Sequence, residues 1–365
     1  MNQRLVSILA VNLLSTCLLA GISLAQQSSA PQILRVALPN KQISGMPIQW
    51  QSEAILMDNW GAFHFFNTTD VRKHQVLEQA YCPLGLAEAR AELLQELGSG
   101  FQVFVSGPYV IATPRGQSSR WQDRFNKLLS GYQRYFQVRG WQLQRVDFPL
   151  VVVIFPDRAS FAAYASRETQ RLPTQAAGSY FPRSNRCILF QISGGRQIDW
   201  NETEATIVHE AVHQLAYNTG IHERLFQNPF WFVEGLATLF ESPAVYELGL
   251  DRTQLVDRIN RLQWSQLQPL LQDHSKLRRS IEELIASDKP FQNDALNAYA
   301  LSWAMTFYLT ERRPQEYQRI MAVLNQRGLG SYSATQRQRD FSSATGMSIP
   351  MFTSQLAGFY QSIGK

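Results

Sequence analysis

The sequence predicts an α+β fold in three parts: a small β-rich N-terminal module, a central lobe of mixed sheet and helices, and a mainly helical C-terminal lobe. Three observations carry this expectation. Short apolar runs broken by turn residues fill the chain before Gly98, strand-like and helix-like runs alternate between Phe101 and Glu241, and beyond Glu241 the apolar spacing is mainly helical. The chain has 365 residues, 45% hydrophobic and 12% aromatic, enough for a substantial core and a length that divides into two or three lobes. The predicted boundaries are 1–25 for a leader, 26–97 for the N-terminal module, 98–245 for the central lobe and 246–365 for the helical lobe.

The leader is set apart from the fold. Arg4 gives a positive start, Leu5 to Leu24 are mostly apolar but interrupted by Asn12, Ser15 and Thr16, and Ser23-Leu24-Ala25 offers small residues for cleavage. This is the pattern of a secretory signal peptide. An uncleaved anchor needs the same length of apolar chain, so a membrane tether through this segment alone stays open. A lipid anchor at Cys17 fits less well, because Thr16 precedes it and the apolar run continues past it.

In the mature chain, Ile33 to Leu38, Ile48 to Met57 and Ala62 to Phe66 read as strands, with a turn at Asp58-Asn59 and Gly61. A helix follows from about Leu86 to Leu97 and is broken by Gly98-Ser99-Gly100. Phe101 to Val105 and Tyr109 to Thr113 form a hairpin around Ser106-Gly107-Pro108. Trp121, Phe125, Leu128, Leu129, Tyr132, Tyr135 and Phe136 recur at helical spacing as a core stripe. Val151 to Phe155 is a buried strand ended by Pro156-Asp157, and Ser160 to Arg167 is a short helix. A second hairpin joins Gly178-Ser179-Tyr180-Phe181 to Cys187–Gln191 through Pro182-Arg183-Ser184-Asn185. Beyond Glu241, helices are expected near Arg252 to Leu262, Ser280 to Ala286, Asn297 to Leu309 and Pro314 to Asn325.

The formal charge is +5, and of the 34 basic residues six are lysines, so arginine dominates. That bias suits anionic surroundings such as an envelope polymer. The basic residues are scattered without a dense tract, which argues against nucleic-acid binding. Outside the leader the cysteines are Cys82 and Cys187. An exported protein permits a bridge between them, and two buried thiols fit the sequence equally well.

The sharpest chemical signal is His209-Glu210-Ala211-Val212-His213, followed by Glu234 within Trp231-Phe232-Val233-Glu234-Gly235-Leu236-Ala237. Histidines four apart on a helix share one face, so both imidazoles reach a single ion. Glu210 lies beside that ion without ligating it, placed to take a proton from an attacking water. Asn201 with Glu204 resembles a capping box, and Thr206, Ile207, Val208, Leu215 and Ala216 sustain the helix through the motif. Asn218, Thr219 and Gly220 stop it, and Asn228-Pro229 precede a second apolar helix that opens near Trp231. A pair of solvated surface histidines is the bland alternative.

These two helices resemble those of the gluzincin metallopeptidases, the peptidase-MA-like hydrolases, in which a glutamate from the second helix is the third ligand. The aminopeptidase branch has a similar aromatic-x-x-Glu-Gly-x-Ala phrase, and the order of features from Phe101 to Leu309 resembles a bacterial branch of unestablished function. The resemblance implies a zincin-like catalytic lobe, one Zn²⁺ per chain held by His209, His213 and Glu234, and Glu210 as general base. Related enzymes place a tyrosine early in a later helix, facing the metal; Tyr299 in Asn297-Ala298-Tyr299 matches, as a donor to the oxyanion. Related enzymes also border the cleft with an edge strand that pairs with extended substrate, for which Cys187–Gln191 is the candidate, an interior strand being equally consistent.

The chain departs from the pattern in three places. The acidic residue that supports a ligand histidine four positions after the glutamate is here Thr238. The Gly-x-Met-Glu-Asn signature of the aminopeptidases is absent. The metzincin alternative would need a third histidine six residues after His213, where Thr219 stands, and the nearest downstream histidine, His222, is expected to be solvated or capping. The expected function is a secreted, periplasmic or envelope-located zinc metallopeptidase acting on a peptide or protein substrate. The alternatives are an inactive zinc-bearing scaffold and a hydrolase of non-peptide amides.

Overall fold

A computed structural model describes residues 31–363 apart from 117–119, 170–176, 192, 195–196, 199 and 248–253. The predicted leader, with Cys17, lies outside the described residues. Among the described residues no helix is long and apolar enough to cross a membrane.

The N-terminal module is an antiparallel sheet of β1 (Gln32–Ala37), β2 (Gln42–Trp50), β3 (Glu53–Met57), β4 (Phe63–Asn67) and β5 (Lys73–Ala80), in the order β4-β3-β2-β1-β5. The single run expected from Ile48 to Met57 is two strands, because the chain turns at Gln51-Ser52 and β3 returns along β2. β5 was not expected: its residues are exposed except for Leu77, which is half-buried, so no apolar alternation marks it. Leu34, Val36, Ile43 and Leu56 form the small core of this sheet.

α1 (Leu86–Leu97) leads into a second sheet of β6 (Phe101–Ser106), β7 (Tyr109–Pro114), β8 (Leu150–Phe155), β9 (Gly178–Phe181) and β10 (Arg186–Phe190). The helices α2 (Arg120–Gln137) and α3 (Arg158–Ala165) lie between its strands in the chain. The order is β6-β7-β8-β10-β9, mixed, with β7 and β10 parallel to β8 and both outer pairs antiparallel. β8 is buried along its whole length because both sheet faces are covered. Its alternate residues Val151, Val153 and Phe155 join Ala89 and Leu93 of α1 and Phe161 of α3 in one core. Leu150, Val152 and Ile154 join Trp121, Phe125, Tyr132 and Phe136 of α2 in the other, confirming the helical stripe as core.

A short pair, β11 (Ser193–Gly194) and β12 (Gln197–Ile198), precedes α4 (Trp200–Asn218), which carries the histidine motif; the helix starts one residue ahead of the cap expected at Asn201. The remainder is helical: α5 (Phe230–Phe240), α6 (Pro243–Tyr246), α7 (Arg261–Leu271), α8 (His274–Ala286), α9 (Pro290–Asn293), α10 (Ala295–Arg312), α11 (Pro314–Asn325), α12 (Ala334–Thr345) and α13 (Ile349–Ile363). The first residues of the helix expected over Arg252 to Leu262 lie outside the described residues; from Gln254 on there is a single 3₁₀ turn at Leu255–Arg258, after which α7 starts afresh. The Asn260 side chain caps α7 by accepting from the Gln263 amide. α10 runs through the centre of this lobe against α5, where a side chain at Gly235 would strike the Ser302 carbonyl and the Thr306 hydroxyl.

Candidate metal centre

α4 is fixed to the second sheet by polar contacts behind its active face. Gln214, fully buried, donates to the Val151 and Asn185 carbonyls at 3.0 and 2.9 Å. Asn218 and Asn185 bind each other reciprocally, and Tyr180 donates to Asn185 at 2.9 Å. Asn185 adopts a left-handed backbone (φ 61°), a conformation asparagine tolerates better than most residues. The β9–β10 turn is therefore bolted to the helix bearing the histidines.

On the opposite face of α4, three ligating atoms converge. His209 Nε2 lies 3.1 Å from His213 Nε2 and 3.2 Å from Glu234 Oε2, and His213 Nε2 lies 3.7 Å from Glu234 Oε2. Two atoms bound tetrahedrally to zinc at about 2.0–2.1 Å stand roughly 3.3 Å apart. The donor set and its spacing therefore fit one such ion. Among the described residues this is the group of histidine, cysteine and carboxylate side chains able to hold a metal.

Glu210 sits beside this group, its Oε2 accepting the Tyr180 main-chain N–H at 2.7 Å. Burial raises its pKa, and the two histidines oppose that rise. Burial works against a charged His209, but the Glu234 and Glu241 carboxylates outweigh it and hold its pKa well up. Glu234 shows the converse balance: burial would raise its pKa, and His213 and His209 bring it down. The site is thus built to hold positive charge between carboxylates.

The sequence left the support of the candidate ligand histidines unassigned, and a carboxylate stands in that place at Glu241, the C-cap of α5. Its Oε1 lies 2.8 Å from His209 Nδ1, and its Oε2 accepts from Asn260 Nδ2 at 2.9 Å. Thr238 is buried, and its carbonyl takes the second Asn260 hydrogen bond at 3.1 Å. His213 Nδ1 has no hydrogen-bond partner among the described residues.

The three ligand candidates, Glu210 and Tyr299 line one cleft of about 310 Å³, together with Gly178, Tyr180, Tyr217 and Phe230. The Tyr299 ring stands 6.5 Å from that of His209, and burial followed by the Glu234 carboxylate pushes its pKa far up, so it holds its proton. The strand bordering the cleft is β9; β10, where Cys187–Gln191 was considered as the edge, is interior between β8 and β9.

The His222 ring is buried, not solvated, and the end of α4 is met by the main chain of this residue, not by its ring. Ile221 and His222 both donate their amides to the Ala216 carbonyl, folding the chain back beneath α4. The ring lies 5.1 Å from that of Tyr217 and 5.0 Å from that of Phe232, outside the ligand group, and burial lowers its pKa to about 3. Cys82 is exposed and Cys187 buried, and both are free thiols, so neither the bridge nor the pair of buried thiols is found.

Residues 203–328, from within α4 to just past α11, match a family described as "Protein of unknown function (DUF1570)". No curated protein matches the chain. The matched region contains both histidines, Glu210, Glu234, Glu241 and Tyr299.

Proposed function

We propose that the chain is an exported, zinc-dependent metallopeptidase of the gluzincin type. The observation that carries the reading is the triangle of His209, His213 and Glu234 ligating atoms, 3.1–3.7 Å on a side, with the Glu210 carboxylate beside it in the same cleft. Zinc bound there supplies polarisation of a scissile carbonyl and acidification of water. Glu210 takes the proton of the attacking water and passes it to the leaving amine.

Tyr299 keeps its phenolic proton and lines the same cleft, which suits it to donate to the oxyanion as the carbonyl is attacked. The outer edge of β9 runs along the cleft and offers main-chain groups to an extended peptide. Export rests on the leader pattern at Arg4 to Ala25.

Metal analysis tests the ligand set. The purified protein should carry about one zinc per chain, and His209→Ala, His213→Ala and Glu234→Ala should each lose it, because each removes one of three protein donors. Full zinc retention by Glu234→Ala would overturn the gluzincin assignment.

A further inference from the structure

We propose that Arg224 is a positioning residue that clamps the edge strand of the cleft against the N-terminal module and so holds the Tyr180 amide on Glu210. The inference rests on the metallopeptidase reading for its catalytic consequence, but the clamp is defined by contacts alone.

Arg224 lies in the loop between α4 and α5. Its Nε and Nη2 both donate to the Pro182 carbonyl, at 2.9 and 2.6 Å, and Nη2 also reaches the Arg183 carbonyl at 3.4 Å. The guanidinium stands 4.4 Å above the ring of Phe63, the first residue of β4. Phe63 in turn donates its amide to the Arg183 carbonyl at 2.8 Å and accepts from Arg183 Nε at 3.3 Å. One turn, Pro182-Arg183, is thus gripped from both sides, by the α4–α5 loop and by the N-terminal sheet.

The N-terminal side of the grip is itself braced. Asp58 Oδ1 accepts the Trp60 and Ala62 amides at 2.9 Å each, and the Asp58 carbonyl takes the Tyr81 hydroxyl at 2.7 Å. Gly61, at φ 77°, lies so close to Phe148 that a Cβ would come within 2.7 Å of its ring. The turn that presents Phe63 therefore has little freedom.

The gripped turn follows directly on β9, whose Tyr180 amide donates to Glu210 at 2.7 Å. β9 is an edge strand, supported by a neighbouring strand on one side only, so its outward main-chain groups depend on how its ends are held. A charge-assisted fork bound to a main-chain carbonyl and stacked on an aromatic ring is a stiff tether. Lysine cannot reproduce it, having no planar fork and no stacking face. The N-terminal module is on this account a brace behind β9, the strand that borders the cleft.

Hydrogen exchange on the intact, zinc-loaded protein decides the matter, with Arg224→Met, which keeps the stem, and Arg224→Lys. Amides from Gly178 to Arg186 should exchange about tenfold faster or more in both variants, while those of β8 and α4 stay as in the wild type. Phe63→Leu, which removes only the ring beneath the cation, should give a smaller change in the same amides and serves if Arg224→Met does not fold. Where cleavage is measurable, the loss should fall in kcat by about tenfold at unchanged zinc content, with KM less affected, since a misplaced base slows the reaction. Hairpin exchange unchanged in Arg224→Met, or in Phe63→Leu where the former does not fold, would overturn the clamp. Rescue of both exchange and kcat by Arg224→Lys would reduce it to a simple charge effect and overturn it equally. A wild-type protein that cleaves nothing counts against the peptidase reading only, because the exchange result stands without it.

Discussion

Glu241 stands two helical turns beyond Glu234 on the same side of α5, since seven residues bring a helix almost back to its starting angle. The nearer position on that face is Thr238, whose side chain is too short to reach a histidine ring, so the longer acid further along takes the role. A carboxylate on Nδ1 fixes the tautomer in which Nε2 is free for a metal. Glu241→Gln should therefore weaken zinc affinity about 10–100-fold with the fold intact, read by competition with a chromogenic chelator. Asn260→Ala should do the same to a lesser degree, because Asn260 holds the other Glu241 oxygen. Affinity unchanged in Glu241→Gln would leave that residue a mere helix end. His209 and His213 were legible in the sequence because a metal imposes a fixed spacing within one helix, and Glu234 through the resemblance of the phrase around it. Glu241 and Asn260 were not, because their meeting depends on the path from α5 through the 3₁₀ turn to α7, which no local pattern encodes.

At the scale of elements, α5 and α10 approach through Gly235, the residue after Glu234. Ser302 and Thr306 face it from α10, and a methyl there would lie 2.4 Å from the Ser302 carbonyl oxygen. Gly235→Ala gains helix propensity in an isolated helix, yet here overpacking should dominate and cost about 1–3 kcal/mol. Denaturant unfolding measures that cost, and zinc affinity should fall with it as the third ligand is pushed aside. Stability raised by the substitution would show that the two helices are free to separate. The elements that were legible are those with strong periodicity: the stripe of α2, the apolar run of β8, and Pro314–Asn325, which is α11 from end to end. Those that escaped lack such a signal. β5 exposes nearly all its residues, and of the two readings open for Cys187–Gln191, edge or interior strand, the interior one holds for β10, the border falling to its hairpin partner β9.

Across the whole molecule, the candidate centre is assembled from segments far apart in the chain: α4 supplies two candidate ligands and Glu210, α5 a third candidate, α10 Tyr299 and β9 a main-chain wall. An ion that binds this assembly and not the unfolded chain must stabilise the folded state as a whole. At a thousandfold excess over its dissociation constant that linkage is worth about 4 kcal/mol, a shift on the order of 5–10 °C for a chain of this size. Chelation should lower the melting temperature by that amount, zinc should restore it, and His213→Ala should respond to neither. An unchanged melting temperature in the wild type would mean that the site holds no metal of consequence for the fold. The division into a sheet module, a mixed-sheet lobe and a helical lobe was readable from periodicity. The contact that joins Phe63 to the turn after β9 was not, since it links residues more than a hundred positions apart through main-chain groups that carry no sequence signal.

If Glu210 does chemistry beside a metal that it does not ligate, cleavage of a broad peptide library should separate the wild type from Glu210→Gln at equal, measured zinc content. The substitution keeps the shape of the side chain and a hydrogen-bond acceptor for the Tyr180 amide while removing the base, a contribution of about 10²–10⁴ in rate. The expected result is cleavage by the wild type, its loss in Glu210→Gln by at least about a hundredfold, and the same zinc in both. A fully zinc-loaded wild type that cleaves no peptide, or a Glu210→Gln variant that cleaves as fast as the wild type, would contradict it.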